Sequence, residues 1–478
     1  MTPGAFGAFS PHAPNIVLPL RFVVTGLLAL FSGVIWLIVR PDILATYHYN
    51  QYVIAVTHLF VLGWISTIVM GAMYQLVPVA LETKLYSERL ARWQFIFHLI
   101  GFVGMVWMFW TWNLKQVGHF GSVLTVGVAL FVYNIIRTLL RVPRWNFVAT
   151  GVASALSWLS LAVLAGLAIA AGKCSYDSES ALLQAAPVSA LVHFLKSVAG
   201  YVAHFDAISA MHAHAHLGSV GVFLMLIVGM SYKLLPMFTL SEVQNPRRAR
   251  ASIWLLNVGL LASFLAVLFR SPLKFISSLL IVAGLVVYGL EILAILRARK
   301  RRALDWGLRY FLTALSLLVP LSFLAVLLAW PGLPLNVFTG QLENLYGFLA
   351  FVGVVSFAIV GMLYKIIPFL VWYRSYSSKI GLAKVPSLAD LYSPGLQVAG
   401  YWSWLSGLVT TSLGIILSQA MVARVGCSLF LLSLIVLAVN VAKMLSHLAK
   451  PRVEPLLQVP KRASEFQRPQ PEIIPSRS

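Results

Sequence analysis

Apolar residues fall along the chain in blocks of about twenty, separated by short polar stretches. A helix rising 1.5 Å per residue needs roughly 20 residues to cross a hydrocarbon layer of about 30 Å. Inside lipid every backbone N–H and C=O must be paired within its own element, so blocks of this length predict helices. Twelve spans are predicted, at residues 16–38, 51–78, 93–112, 120–140, 147–172, 207–236, 252–270, 275–297, 307–330, 340–372, 394–419 and 422–446. The segment ahead of the first span carries neither a basic n-region nor a small-residue cleavage site. That span therefore reads as a retained helix, not a signal peptide.

Three stretches align without gaps. Each has two glycines eight residues apart and then Gly-x-x-Tyr-x-x-x-Pro: Gly63, Gly71, Tyr74, Pro78; Gly221, Gly229, Tyr232, Pro236; Gly353, Gly361, Tyr364, Pro368. They fall in the second, sixth and tenth spans, so the repeat unit is four helices. Small residues let membrane helices approach closely, Pro marks a helix end and Tyr suits the headgroup level. The expected organisation is a single transmembrane domain over 1–450, with repeats at about 16–140, 147–297 and 307–446, followed by a basic, poorly ordered tail over 451–478.

Of 478 residues, 60% are hydrophobic and 10% charged, which excludes a water-soluble domain. The net charge of +21 suggests nucleic acid at first sight. Its distribution says otherwise. Lys and Arg gather in the loops after even-numbered spans, such as Arg247, Arg248, Arg250 and Arg299 to Arg302, and are sparse after odd-numbered ones. Positive loops stay in the cytoplasm. The reading is a multi-pass protein of a bacterial-type inner membrane, both termini cytoplasmic, with the lipid bilayer and no nucleic acid as partner. Cys174 and Cys427 both fall near the outer face, where a disulfide between them is open. No CxxC or CxxCH occurs to hold a c-type haem or an iron–sulfur cluster.

Eight of the eleven histidines map to the outer face or the outer half of the bilayer; His12, His98 and His447 do not. His58 precedes Tyr74, and His216 precedes Tyr232, by 16 residues, about 24 Å of helix. Ahead of His216 runs Met211-His-Ala-His-Ala-His216, with His204 and His193 upstream. Imidazole is a common metal ligand, and a histidine within a membrane span is costly enough to suggest a function. On a helix His212 and His216 share a face, while His214 points about 160° away. Either His212 and His216 chelate one ion, with His204 and Met211 as further donors, or one histidine is an axial haem ligand. His48, His119 and His193 read more simply as interfacial residues.

The four-helix repeat and the outer histidines resemble the haem–copper oxidase subunit I superfamily. The fold implied is an all-α integral membrane protein of about twelve helices in three pseudo-threefold four-helix repeats. His58 stands where that family's second helix ligates a low-spin haem, and one of His212, His214 and His216 stands where its sixth helix ligates copper. The family's seventh- and tenth-helix histidines have no counterpart here: no histidine lies between His216 and His447. A standard oxygen-reducing binuclear centre is not expected. A haem, if bound, is expected between His58 and a sixth-span histidine, in the sector the oxidases leave empty. A looser likeness, of helix number alone, is to haem- and copper-containing membrane proteins of the nitric-oxide-response type.

Three function classes stand open. The first is a redox protein with non-covalent, b-type or related haem, performing electron transfer or diatomic-gas binding near the outer face. A quinol or cytochrome would be its electron donor, with other membrane subunits as further partners; its ligands would be His58 and His216, then His212 and His214, with Trp64, Phe223, Trp107 and Trp110 as candidate lining. The second is a copper-handling protein using Met211, His204, His212, His214 and His216. The third is a cofactor-free transporter or structural subunit on the same scaffold. Few carboxylates lie in the spans to carry protons, namely Glu291, Asp206 and Glu343, and Lys233 and Lys365 are expected to snorkel to the inner interface.

Overall fold

A computed structural model describes residues 16–173, 197, 200–201 and 204–455. His12, Cys174, His193 and the tail from 456 lie outside the described residues, and with them the pairing of Cys174 with Cys427. Twelve long helices follow one another: α1 Val17–Val39, α2 Gln51–Ala80, α3 Glu88–Trp110, α4 Leu114–Leu139, α5 Phe147–Lys173, α6 Ala207–Thr239, α7 Pro246–Leu268, α8 Lys274–Arg297, α9 Trp306–Ala329, α10 Val337–Lys379, α11 Pro394–Ile416 and α12 Ala420–Ala449. All but α11 are long and apolar enough to cross a membrane; α11 matches them in length and is richer in Gly, Ser, Thr and Trp. The chain is an all-helical multi-pass membrane protein.

Several helices start earlier than the apolar pattern predicts, because their caps lie in the polar flanks. Ser87 Oγ accepts from Leu90 N at 3.2 Å and starts α3 at Glu88, not 93. Asn113 starts α4 at Leu114, not 120. Asn245 Oδ1 accepts from the backbone N–H of Arg247 and Arg248 and starts α7 at Pro246, not 252. These side chains take up amide protons that a helix end leaves unpaired.

Neighbours in the chain pack together as pairs, α4 packs on α5, α8 on α9, and α12 returns to α1, closing a ring. Inside it stand α2, α6 and α10, the most buried spans. The repeat glycines mark where each inner helix crosses the first helix of its own unit. A Cβ at Gly71 would meet Phe22 of α1 at 2.3 Å, one at Gly229 would meet Gly151 Cα of α5 at 3.0 Å, and one at Gly361 would meet Gly307 O of α9 at 2.6 Å.

The repeat tyrosines are not at headgroup level. All three are buried, and each bonds to an outer helix: Tyr74 OH donates to Gln94 Oε1 (3.2 Å), Tyr232 OH shares a proton with Ser252 Oγ (2.7 Å) and Tyr364 OH accepts from Asn440 Nδ2 (3.2 Å). A buried phenol needs such a partner. The repeat prolines lie within their helices, which run on to Ala80, Thr239 and Tyr376.

Each inner helix also loosens into a π-helical segment at the same place: Leu59–Ser66, Leu217–Leu224 and Leu349–Val355. A π turn leaves carbonyls without their α-helical donor. Thr67 Oγ1 donates to Leu62 O (2.8 Å) and Ser356 Oγ to Phe351 O (2.7 Å). His98 Nε2 adds a second bond to Leu62 O at 3.2 Å and one to Thr67 Oγ1 at 2.9 Å, so this buried histidine serves the π segment.

Candidate functional site

The last residue before each π segment is His58, His216 or Phe348. His58 Nδ1 lies 2.8 Å from Ile54 O, and His216 Nδ1 lies 2.8 Å from His212 O. A carbonyl only accepts, so both rings carry their proton on Nδ1 and keep a lone pair on Nε2. Neither Nε2 makes a hydrogen bond among the described residues. Both rings line one cavity of about 1700 Å³ at this end of the bundle. That exceeds the roughly 300–1,000 Å³ usual for a small-ligand site.

The equivalent positions face different sectors of the ring. His58 lies against Phe109 of α3 (ring centroids 4.6 Å apart). His216 stacks on Tyr346 of α10 (6.0 Å), and Phe348 meets Phe430 of α12 (6.2 Å). His214, two residues before His216, turns to α5, where a Cβ on Gly166 would touch its Cε1 at 3.0 Å. The helix thus sends His214 and His216 to opposite sides, and His214 lies within electrostatic reach of His58. His214 Nδ1 is buried without a hydrogen-bond partner.

His212 takes a third direction. Its Nε2 lies 2.8 Å from Nε2 of His48, on the loop between α1 and α2, and Glu343 Oε2 of α10 lies 3.7 Å from the same His48 atom. The predicted pairing of His212 with His216 is not formed, because His216 is turned toward Tyr346. His204 is exposed, its Nδ1 is tied to Gly200 O (2.7 Å), and it is not a member of this cluster. Met211 lines the cavity wall. His48, read from sequence as interfacial, is instead a member of the cluster. Burial pushes its imidazole below the ordinary histidine range, with the Asn344 side chain opposing, so it is neutral near pH 7.

Of the aromatics expected to line a macrocycle, only Phe223 reaches the cavity. Trp64 is buried and donates to Ser356 Oγ at 3.0 Å; Trp107 is exposed on the outside of α3; Trp110 stacks on Trp36 at 4.3 Å. The carboxylates and lysines also have other work. Glu291 accepts the N–H of Gln244 and Asn245, pinning the α6–α7 loop. Lys365 does not snorkel: it is mostly buried and pairs with Asp305.

The family model described as Cytochrome C and Quinol oxidase polypeptide I matches residues 12–117, a stretch that carries His48 and His58. A solved structure, reported as a cryo-EM structure of a heme-copper terminal oxidase dimer, superposes with a TM-score of 0.59 at 13% identity, covering 93% of this chain and 84% of that one. No curated protein matches the chain in sequence. The chain shares the fold of that oxidase and is similar in sequence to the polypeptide I family over residues 12–117. Within that fold, α7 and α10 carry no histidine. The position two residues before Phe348 is Tyr346, where α6 has His214. The imidazoles that line the cavity are therefore gathered on α2, α6 and the α1–α2 loop.

The residues present fit a haem in one sector. His58 offers a free Nε2 to the cavity, and His214 packs its Cε1 edge against Gly166 of α5 with Nδ1 unpaired. Gly218 and Gly347 border the same cavity with nothing within 4 Å of where a Cβ would stand, leaving open space beside the backbone.

Proposed function

We propose that this chain is a membrane haem protein that holds one non-covalent, b-type haem between His58 of α2 and His214 of α6, near the outer face of a bacterial-type inner membrane. One observation carries the reading. The two imidazoles come from neighbouring repeats and border one cavity, and each keeps one ring nitrogen without a hydrogen-bond partner among the described residues, Nε2 of His58 and Nδ1 of His214. His216, equivalent to His58 in the repeat, is turned toward Tyr346 and belongs to the next sector.

A haem in this place would supply one-electron transfer, and would offer a position to a diatomic gas only where one of the two imidazoles gave way. The chain's own part is to hold and orient. Ile54 O fixes the His58 tautomer, Gly166 lets the His214 ring lie against α5, and the apolar wall of Met105, Phe109 and Phe223 keeps water away. An external quinol or cytochrome would deliver electrons. Two imidazoles of the chain would hold the haem and α7 and α10 carry no histidine, so oxygen reduction by the binuclear route is not part of the proposal.

Single variants test the ligand assignment. His58→Ala and His214→Ala should each lose the sharp reduced α and β bands of a low-spin bis-histidine haem, while His216→Ala keeps them. Gel filtration in detergent checks that each variant is folded. Unchanged low-spin spectra in folded His58→Ala or His214→Ala would refute the assignment, as would loss in His216→Ala alone.

A further inference from the structure

A second centre lies apart from the haem ligands. We propose that His48, His212 and Glu343 form a divalent transition-metal site that ties the three repeat units together at one end of the bundle. His48 leads into α2 of the first unit, His212 lies on α6 of the second, and Glu343 lies on α10 of the third.

The ligand atoms of all three lie within 4.8 Å of one another. The individual separations are 2.8 Å between the two Nε2 atoms and 3.7 Å from His48 Nε2 to Glu343 Oε2. Ligands bound at about 2.0–2.1 Å in a tetrahedron stand about 3.3 Å apart, so movements of up to about 1.5 Å, the largest between His212 and Glu343, would seat an ion. Two imidazoles and a carboxylate are borderline donors that suit Zn(II) or Cu(II). Three protein ligands leave a fourth position open, here toward the large cavity.

The surroundings hold the ligands in place. Asn344 Nδ2 donates to Thr46 O (2.7 Å) and to Gln341 Oε1 (2.9 Å), and Gln341 Nε2 donates to Ala45 O (3.0 Å). Two residues of α10 thereby clamp the loop that carries His48. His48 Nδ1 and Asn344 Oδ1 are both buried without a partner, and the two side chains are neighbours. A small rotation would let Nδ1–H donate to Asn344, which fixes Nε2 as the metal-facing atom, the usual outer support of a ligating histidine. In the metal-free protein the two Nε2 atoms can only share one proton. Lys274 and Asp206 lie in electrostatic reach of His212, the first opposing a cation and the second favouring it. Glu343 supplies the remaining negative charge.

The test uses the full chain in detergent, stripped with a chelator and titrated with Cu²⁺ while the Cu(II) electron paramagnetic resonance spectrum is recorded. One equivalent should bind, with hyperfine structure from two nitrogens. Affinity should fall at least about tenfold in His48→Ala, His212→Ala and Glu343→Gln. His204→Ala, on an exposed ring bonded to Gly200 O, and the haem-ligand variants His58→Ala and His214→Ala should bind Cu²⁺ as the wild type does. Copper lost with His58 or His214 would place the ion in the haem sector and overturn the assignment. So would wild-type affinity in Glu343→Gln, which is isosteric and decides the matter if either alanine variant fails to fold. Absence of stoichiometric binding to the wild type would also overturn it.

Discussion

Gly229 and Gly151 face each other so closely that a side chain on either would meet backbone. Backbone cannot turn aside as the end of a long side chain can. Gly229→Leu should therefore force α5 and α6 apart and cost about 1–3 kcal/mol or more. Gly289, on α8, has nothing within 4 Å of its missing Cβ. Gly289→Ala should be neutral or stabilise by up to about 1 kcal/mol, since alanine is the better helix former. Thermal unfolding of both variants in detergent checks the opposite signs; equal destabilisation would show that the repeat glycines are not packing positions. These glycines, and the three tyrosines with them, were legible in the sequence because their spacing recurs. What the spacing does not convey is depth: Tyr74 follows Gly71 by three residues whether it faces lipid or, as it does, Gln94 inside the bundle.

At the scale of the helix, the π segments are the feature hidden from sequence. Hydrophobicity runs unbroken through Leu59–Ser66, and nothing in the apolar pattern marks a wider turn there. Its trace is the pair of hydroxyls at Thr67 and Ser356, each reaching back five residues to a loose carbonyl. A π turn holds one residue more than an α turn. Deleting Val61 should thus restore a regular helix and keep both halves of α2 in register. Deleting Ile68, in the regular part, should turn one half by about 100° against the other. Far-ultraviolet circular dichroism and gel filtration should show a folded protein only for the first deletion. The Met211–His216 motif lies in the regular helix Ala207–His216, just ahead of the π segment, and its rings disperse by ordinary α-helical geometry. In sequence its histidines read as one cluster, and the helical geometry already separated His214 from its neighbours. The partners of each ring could not be read: His48 lies 164 residues from His212, on a loop whose position is set by Gln341 and Asn344. Glu343 reads as an ordinary outer-end carboxylate until that loop is folded over it.

The whole molecule is a ring of nine helices around three, and each of the three inner helices serves a different sector at the same height. In the sector between α2 and α6 the repeat positions are His58 and His214; between α6 and α10 they are His216 and Tyr346; between α10 and α2 the leading position is Phe348, packed on Phe430. One scaffold thus carries three chemistries, the third of them aromatic. The fold was legible because lipid demands long apolar helices and because the unit repeats. The choice of sector was only partly legible, since it rests on the direction of single side chains. The central claim is that the first sector holds a haem. Visible spectra of the purified wild-type protein, oxidised and dithionite-reduced, together with a pyridine haemochrome assay and iron analysis, test it most directly. The account predicts sharp reduced α and β bands and stoichiometric iron. A colourless, iron-free protein purified from haem-replete cells would contradict it.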